Sequence, residues 1–186
     1  YTDKIQLMNV LSSDIKEYQT IPAKNCRELK FSNGGHMFAA AIGNGSIYIY
    51  NFYTGENPSN LQCKGHVSKV RGIDWFDDDM GFTSCGIDGN VFFYELQMQK
   101  ELNTRNSDKD FNVKINANNF TGFTDVCNIP GQPYEALTVG GSAQVWRTTD
   151  SKNSSDARTT LSQVKILASG KAFFAGTGEE NRPGSI

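Results

Sequence analysis

The chain has 186 residues, 38% hydrophobic and 11% aromatic, which is enough apolar material for one sizeable core or for an array of small units sharing one. Eighteen basic against twenty acidic residues give a formal charge of −2, which argues against a general nucleic-acid binder, since that class carries a basic surplus. Four cysteines without a CxxC pair, and only two histidines, give no expectation of a metal site, and no apolar window approaches the roughly 18 residues of a membrane span.

Taken in chain order, Lys4 to Met8 and Asp14 to Ile21 read as two short strands. They fit residues 1–25 as the end of a preceding unit. From Cys26 to Tyr50 three short apolar runs are divided by turns, the second being Met37 to Ile42. Asn44-Gly45 marks a tight hairpin, because the central positions of such a turn take positive φ. The layout returns 44 residues later: Phe31 maps to Trp75, Gly45 to Gly89 and Tyr50 to Tyr94, with Asp88-Gly89 as the hairpin. A third copy runs from Asp125 to Trp146 with Gly140-Gly141 in the turn position. Tyr94 to Trp146 is 52 residues, and the surplus falls in a polar Asn/Asp/Ser-rich stretch from Asn103 to Asn119, read as a loop. A fourth copy opens at Val164, and the chain reaches Gly184-Ser185-Ile186 where its third strand is due to begin. The expected blades are 26–64, 65–103, 120–161 and 162–186, the last incomplete, with 104–119 as an insert loop.

No segment shows a helical period over a dozen residues. Each unit has β-branched and aromatic runs bounded by Gly, Asn, Asp and Pro. A small four-stranded sheet with two apolar faces cannot bury both alone, but stacking neighbours radially does so. The expected fold is therefore all-β, a partial β-propeller of about four antiparallel blades belonging to a larger ring.

The second unit carries Gly65-His66, Ser84, Asp88 and Tyr94. In this it resembles the WD-repeat (WD40) family, in which a GH dipeptide opens the repeat and a WD dipeptide closes it. The resemblance implies a structural tetrad of His66, Ser84, Asp88 and Tyr94, the imidazole bonded on both sides and its tautomer fixed by the aspartate. The closing dipeptides depart from the pattern: Tyr94-Glu95, Tyr50-Asn51 and Trp146-Arg147 stand where Trp-Asp is usual, and a single GH occurs. The stretches from Asp3 to Leu11, Tyr18 to Glu28 and Phe31 to Ala40 are similar to the cilia- and flagella-associated WD-repeat proteins. That likeness implies a structural component of the axoneme, associated with inner dynein arms and doublet microtubules.

Other chemistries read less well. A catalytic Ser-His-Asp set needs its serine on an exposed elbow, and no GxSxG occurs. Asp77-Asp78-Asp79 lacks the alternating ligands of a calcium loop and reads as a solvated hairpin turn. Gly176-Thr177-Gly178 lacks the lysine and helix of a phosphate loop. Phe92, Phe93, Tyr94, Tyr48 and Tyr50 read as core rather than as a base-stacking platform, and Lys64, Lys69 and Arg71 as a small basic cluster near the start of a blade. No convergent set of titratable residues at the channel is expected. The sequence thus points to no catalytic residue, cofactor or metal, and to a scaffold whose partners are other proteins and the remaining blades of its own parent chain, without nucleic acid or membrane. The rival is a cytosolic WD adaptor outside cilia, such as a substrate receptor of a ubiquitin ligase.

Overall fold

The computed structural model describes residues 3–57, 62–96, 105–106, 111–112, 122–132, 134–140, 144–148, 153–156, 161–166, 173–179 and 182–185. Every regular element among them is a strand. The strands group into five antiparallel sheets in chain order. A hairpin of β1 (Lys4–Val10) and β2 (Ile15–Pro22) comes first. The first blade is a meander of β3 (Cys26–Phe31), β4 (Met37–Ile42), β5 (Ile47–Asn51) and β6 (Gln62–Cys63). The second has β7 (Val70–Trp75), β8 (Gly81–Gly86) and β9 (Asn90–Glu95), with β10 (Arg105–Asn106) and β11 (Phe111–Asn112) both pairing with β9. The third runs β12 (Phe123–Asn128), β13 (Ala136–Gly140), β14 (Gln144–Arg147) and β15 (Asn153–Asp156). The fourth holds β16 (Leu161–Ile166), β17 (Phe173–Glu179) and β18 (Arg182–Ser185).

Strand alternation explains how the sheets stack. Successive side chains of β4 point to opposite faces. Phe38 and Ala40 pack with Ile5, Leu7 and Ile21 of the leading hairpin, whereas Ala39 and Ala41 pack with Val70, Ile73, Trp75 and Phe82 of the second blade. The uninterrupted apolar run Met37–Ile42 is thus a strand buried on both faces. The same division recurs one seam on, where Cys85, Val91 and Phe93 meet Phe123, Val126 and Ala136. Val139 and Val145 then meet Val164. The first strand of each blade lies innermost, β7 packing between β3 and β12, and β12 between β7 and β16. This is a partial WD-repeat propeller.

Each innermost strand carries the same irregularity. The pairing slips between Cys26 and Glu28, Val70 and Gly72, Phe123 and Asp125, and Leu161 and Gln163. One extra residue on one strand of a pair sharpens the local right-handed twist. Its recurrence gives every blade the same turn at the axis.

Two expectations need correction. The stretch read as the insert loop 104–119 contains β10 and β11, which complete the second blade on its outer edge. Asn153–Asp156 is the outermost strand of the third blade. Each of these edge strands pairs on one side with the third strand of its blade, and being short and largely polar they resemble loops in sequence. The fourth blade does begin its third strand, at Arg182.

Candidate functional site

The geometry is built from the seams inward. In the second blade the loop after β6 brings His66 against the turn between β8 and β9. The imidazole Nδ1 lies 3.0 Å from both carboxylate oxygens of Asp88, and Nε2 lies 2.8 Å from Ser84 Oγ. Asp88 also accepts the backbone N–H groups of Val67 (3.0 Å) and Asn90 (3.2 Å). The His66 and Asp88 side chains are 0% and 3% exposed, and Ser84 is fully buried. Burial alone would raise the Asp88 pKa, but the bonds from His66 and the two amides outweigh it and hold the carboxyl below its ordinary value. No substrate in solution reaches the Ser84 hydroxyl, so the trio ties a loop to a hairpin.

The structure therefore brings His66, Ser84 and Asp88 into one chain of contacts. Tyr94 is buried beside them. Its ring lies 4.9 Å from that of Phe82, and its hydroxyl oxygen is 3.2 Å from where a Cβ on Gly65 would stand. The ring that meets the imidazole edge-on, at 4.7 Å and 89°, belongs to Phe92. Asn44 accepts the Ser46 N–H in its turn (3.0 Å), and Gly45 has φ 88. A Cβ on Gly45 would sit 2.6 Å from the carbonyl oxygens of both His66 and Ser68, so this turn presses directly on the loop of the next blade. Gly89 takes φ 77 at the equivalent hairpin. Gly140 is not in a turn but ends β13, where a Cβ would collide with the Gly122 carbonyl at 2.2 Å. Gly141 lies outside the described residues.

Across the seams, carboxylates of one blade bind the main chain of the next. Asp79, read from sequence as part of a solvated turn, is 9% exposed and accepts the N–H groups of Asn33 (2.7 Å) and Gly34 (2.6 Å) in the first blade. Only Asp77 and Asp78 of that triplet are exposed. Asn33 returns a bond from its amide to the Phe76 carbonyl (2.7 Å), and the Trp75 indole donates to the Lys30 carbonyl (3.0 Å). At the next seam Asp74 accepts the Asn128 N–H (2.8 Å), while the Asn128 amide donates to the Asp74 and Trp75 carbonyls. Asp125 in turn accepts the Val164 N–H at 3.0 Å.

Lys30, Asp74, Asp125, Asn128 and Val164 lie on the inner strands, where a charged cluster gathers that contradicts the expectation of none. Glu28 lies within electrostatic range of Lys30, Arg71, Lys165 and Asp125, and Asp74 within range of Lys30, Lys165 and Asp125. Lys30 Nζ stands 3.9 Å from Asp74 Oδ1. Burial pushes the Glu28 and Asp74 carboxyls above their usual range, and the Asp125 charge adds to this, while the cations oppose it. The sequence signal was Asp74 set between Ile73 and Trp75: a charge amid core residues must have partners. Its partners lie 44 and 54 residues away, beyond any local pattern. The four cysteines are free thiols, three of them buried, and burial pushes Cys63 up to about 12. Among the described residues no group of three or more His, Cys, Asp or Glu is placed to hold a metal ion.

No protein-family model matches the chain. It is 47% identical over 97 residues to Cilia- and flagella-associated protein 57 A of Tetrahymena thermophila, covering 52% of this chain and 7% of that protein. It is 37% identical over 134 residues to Cilia- and flagella-associated protein 57 C of the same organism, covering 67% and 10%. It is also 26% identical over 114 residues to WD repeat-containing protein 1-A of Xenopus laevis, covering 60% and 17%. The match thus spans about a tenth or less of the length of the two ciliary relatives.

Proposed function

We propose that this chain is a section of a non-catalytic WD-repeat scaffold that works in the cilium or flagellum. The observation that carries this reading is the 47% identity over 97 residues to a cilia- and flagella-associated protein. The geometry agrees with it. The Ser-His-Asp trio is sealed inside a blade and linked to main-chain amides, an arrangement that stiffens a platform. Rigid blades present their turns as recognition surfaces, since loops on a fixed scaffold carry contacts. The finer reading places the scaffold on the axoneme, near inner dynein arms and doublet microtubules, with other blades of the parent protein as its immediate neighbours.

Tagging the parent protein in a ciliated cell and fractionating its cilia tests this. The tag is expected in the detergent-insoluble axoneme, copurifying with dynein-arm components. A tag found in the cell body, bound to ubiquitin-ligase subunits, would overturn the ciliary reading and favour a cytosolic adaptor.

A further inference from the structure

The second and third blades leave a cleft of about 260 Å³ between their first turns. Phe76, Asp77 and Asp78 line it from the turn between β7 and β8, and Ile129, Gln132 and Tyr134 from the turn between β12 and β13. We infer that this cleft receives a single basic side chain, lysine or arginine, presented by a partner protein.

Size sets the first limit. Pockets for drug-sized molecules begin at about 300 Å³, so this cleft suits one extended side chain rather than a cofactor. Its walls set the chemistry. The rings of Phe76 and Tyr134 meet edge-to-face at 5.9 Å, and Phe93 stacks behind Phe76 at 6.5 Å. Aromatic faces attract cations, and exposed carboxylates beside them add a field of the same sense. Asp77 and Asp78 supply those carboxylates. Asp78 spends one oxygen on the Met80 N–H at 2.9 Å, which fixes its side chain and leaves the second oxygen for a ligand. No lysine or arginine lines the cleft among the described residues.

The backbone sets one wall of the cleft. Tyr134 has φ 62, a left-handed conformation that bulky residues rarely adopt. The conformation turns the ring toward Phe76 and Phe93 instead of toward solvent.

That the cation belongs to a protein rests on the scaffold reading above; the preference of the cleft for a cation does not. The test uses the full chain, labelled with nitrogen-15 and titrated with acetyl-Gly-Lys-Gly-amide, its arginine counterpart and its glutamate counterpart. The basic peptides are expected to give saturable shifts at the Phe76, Gly131 and Gln132 amides, and the glutamate peptide none. Combining Asp77→Asn with Asp78→Asn keeps an oxygen for the turn and should weaken the basic peptides about three- to tenfold. Tyr134→Asn should weaken them similarly while keeping the fold, because asparagine accepts the left-handed region. Equal shifts from the glutamate peptide, or unchanged affinity in the Asp77/Asp78 double variant, would overturn the proposal. Neither result depends on where the parent protein resides, so the two readings fail separately.

Discussion

Replacing Asp79 with alanine should loosen the seam between the first and second blades by about 3–4 kcal/mol. Asp79 makes two charge-assisted bonds, to Asn33 N–H and Gly34 N–H, and each such bond contributes about 1.5–3 kcal/mol when buried. The freed amides recover part of this from water, because Asn33 and Gly34 are both exposed. The backbone adds little for alanine, because Asp79 already carries a Cβ at φ 57, where one costs about 1 kcal/mol. Glycine carries no such cost, so Asp79→Gly should be less damaging than Asp79→Ala by about that amount. Asp79→Asn should fall below both, at about 1–2 kcal/mol, because it keeps one acceptor and tolerates the conformation. Urea unfolding followed by tryptophan fluorescence measures all three, with Trp75 reporting directly from this seam through its bond to Lys30. A loss below about 1 kcal/mol for Asp79→Ala, or a glycine variant weaker than the alanine one, would refute the argument.

Further expectations concern the tetrad, one turn and the axial cluster. Asp88 titrates below its ordinary value, so its contribution is present above pH 4 or so and is lost as the pH falls through the lowered value. Asp88→Asn should therefore cost about 1.5–3 kcal/mol at pH 7 and flatten the acid limb of a stability–pH curve. Gly45→Ala should cost well over 2 kcal/mol, since its Cβ would meet two carbonyl oxygens at 2.6 Å, whereas Gly35→Ala at φ 70 with open space around it should cost about 1. Paired denaturation curves distinguish them. Glu28 has the opposite sign to Asp88: its carboxyl is raised, so ionising it opposes folding as the pH climbs past the unfolded value. Glu28→Gln should accordingly raise the thermal midpoint at pH 7 and leave it unchanged near pH 3, as scanning calorimetry would show.

The blade count and the second strand of each of the first two blades were legible because two-sided burial leaves runs without a charged side chain. Met37–Ile42 and Gly81–Gly86 are buried almost throughout, and no solvated element has that signature. Asp88-Gly89 announced its hairpin because few residues adopt positive φ. The outer strands were not legible, since Arg105–Asn106 and Asn153–Asp156 are short and polar, and sheet pairing alone makes them strands. In the tetrad, His66, Ser84 and Asp88 were expected from the resemblance to the WD-repeat pattern, but the approach of Phe92 was not. Phe92 lies beside Ser84 only through the β8–β9 register. The seam carboxylates were hidden for a related reason. Asp79 looked like its exposed neighbours Asp77 and Asp78, and only the adjoining blade decides which of the three is buried.

At three successive seams the acceptor is an acidic side chain and the donor is a peptide amide. Every residue but proline offers that amide, whatever its side chain. A latch of this type asks for one aspartate on one side and only a correctly placed main chain on the other. Neighbouring blades can therefore drift apart in sequence without losing their grip, and a chain that keeps so little of the family's signature dipeptide can still hold its blades in line.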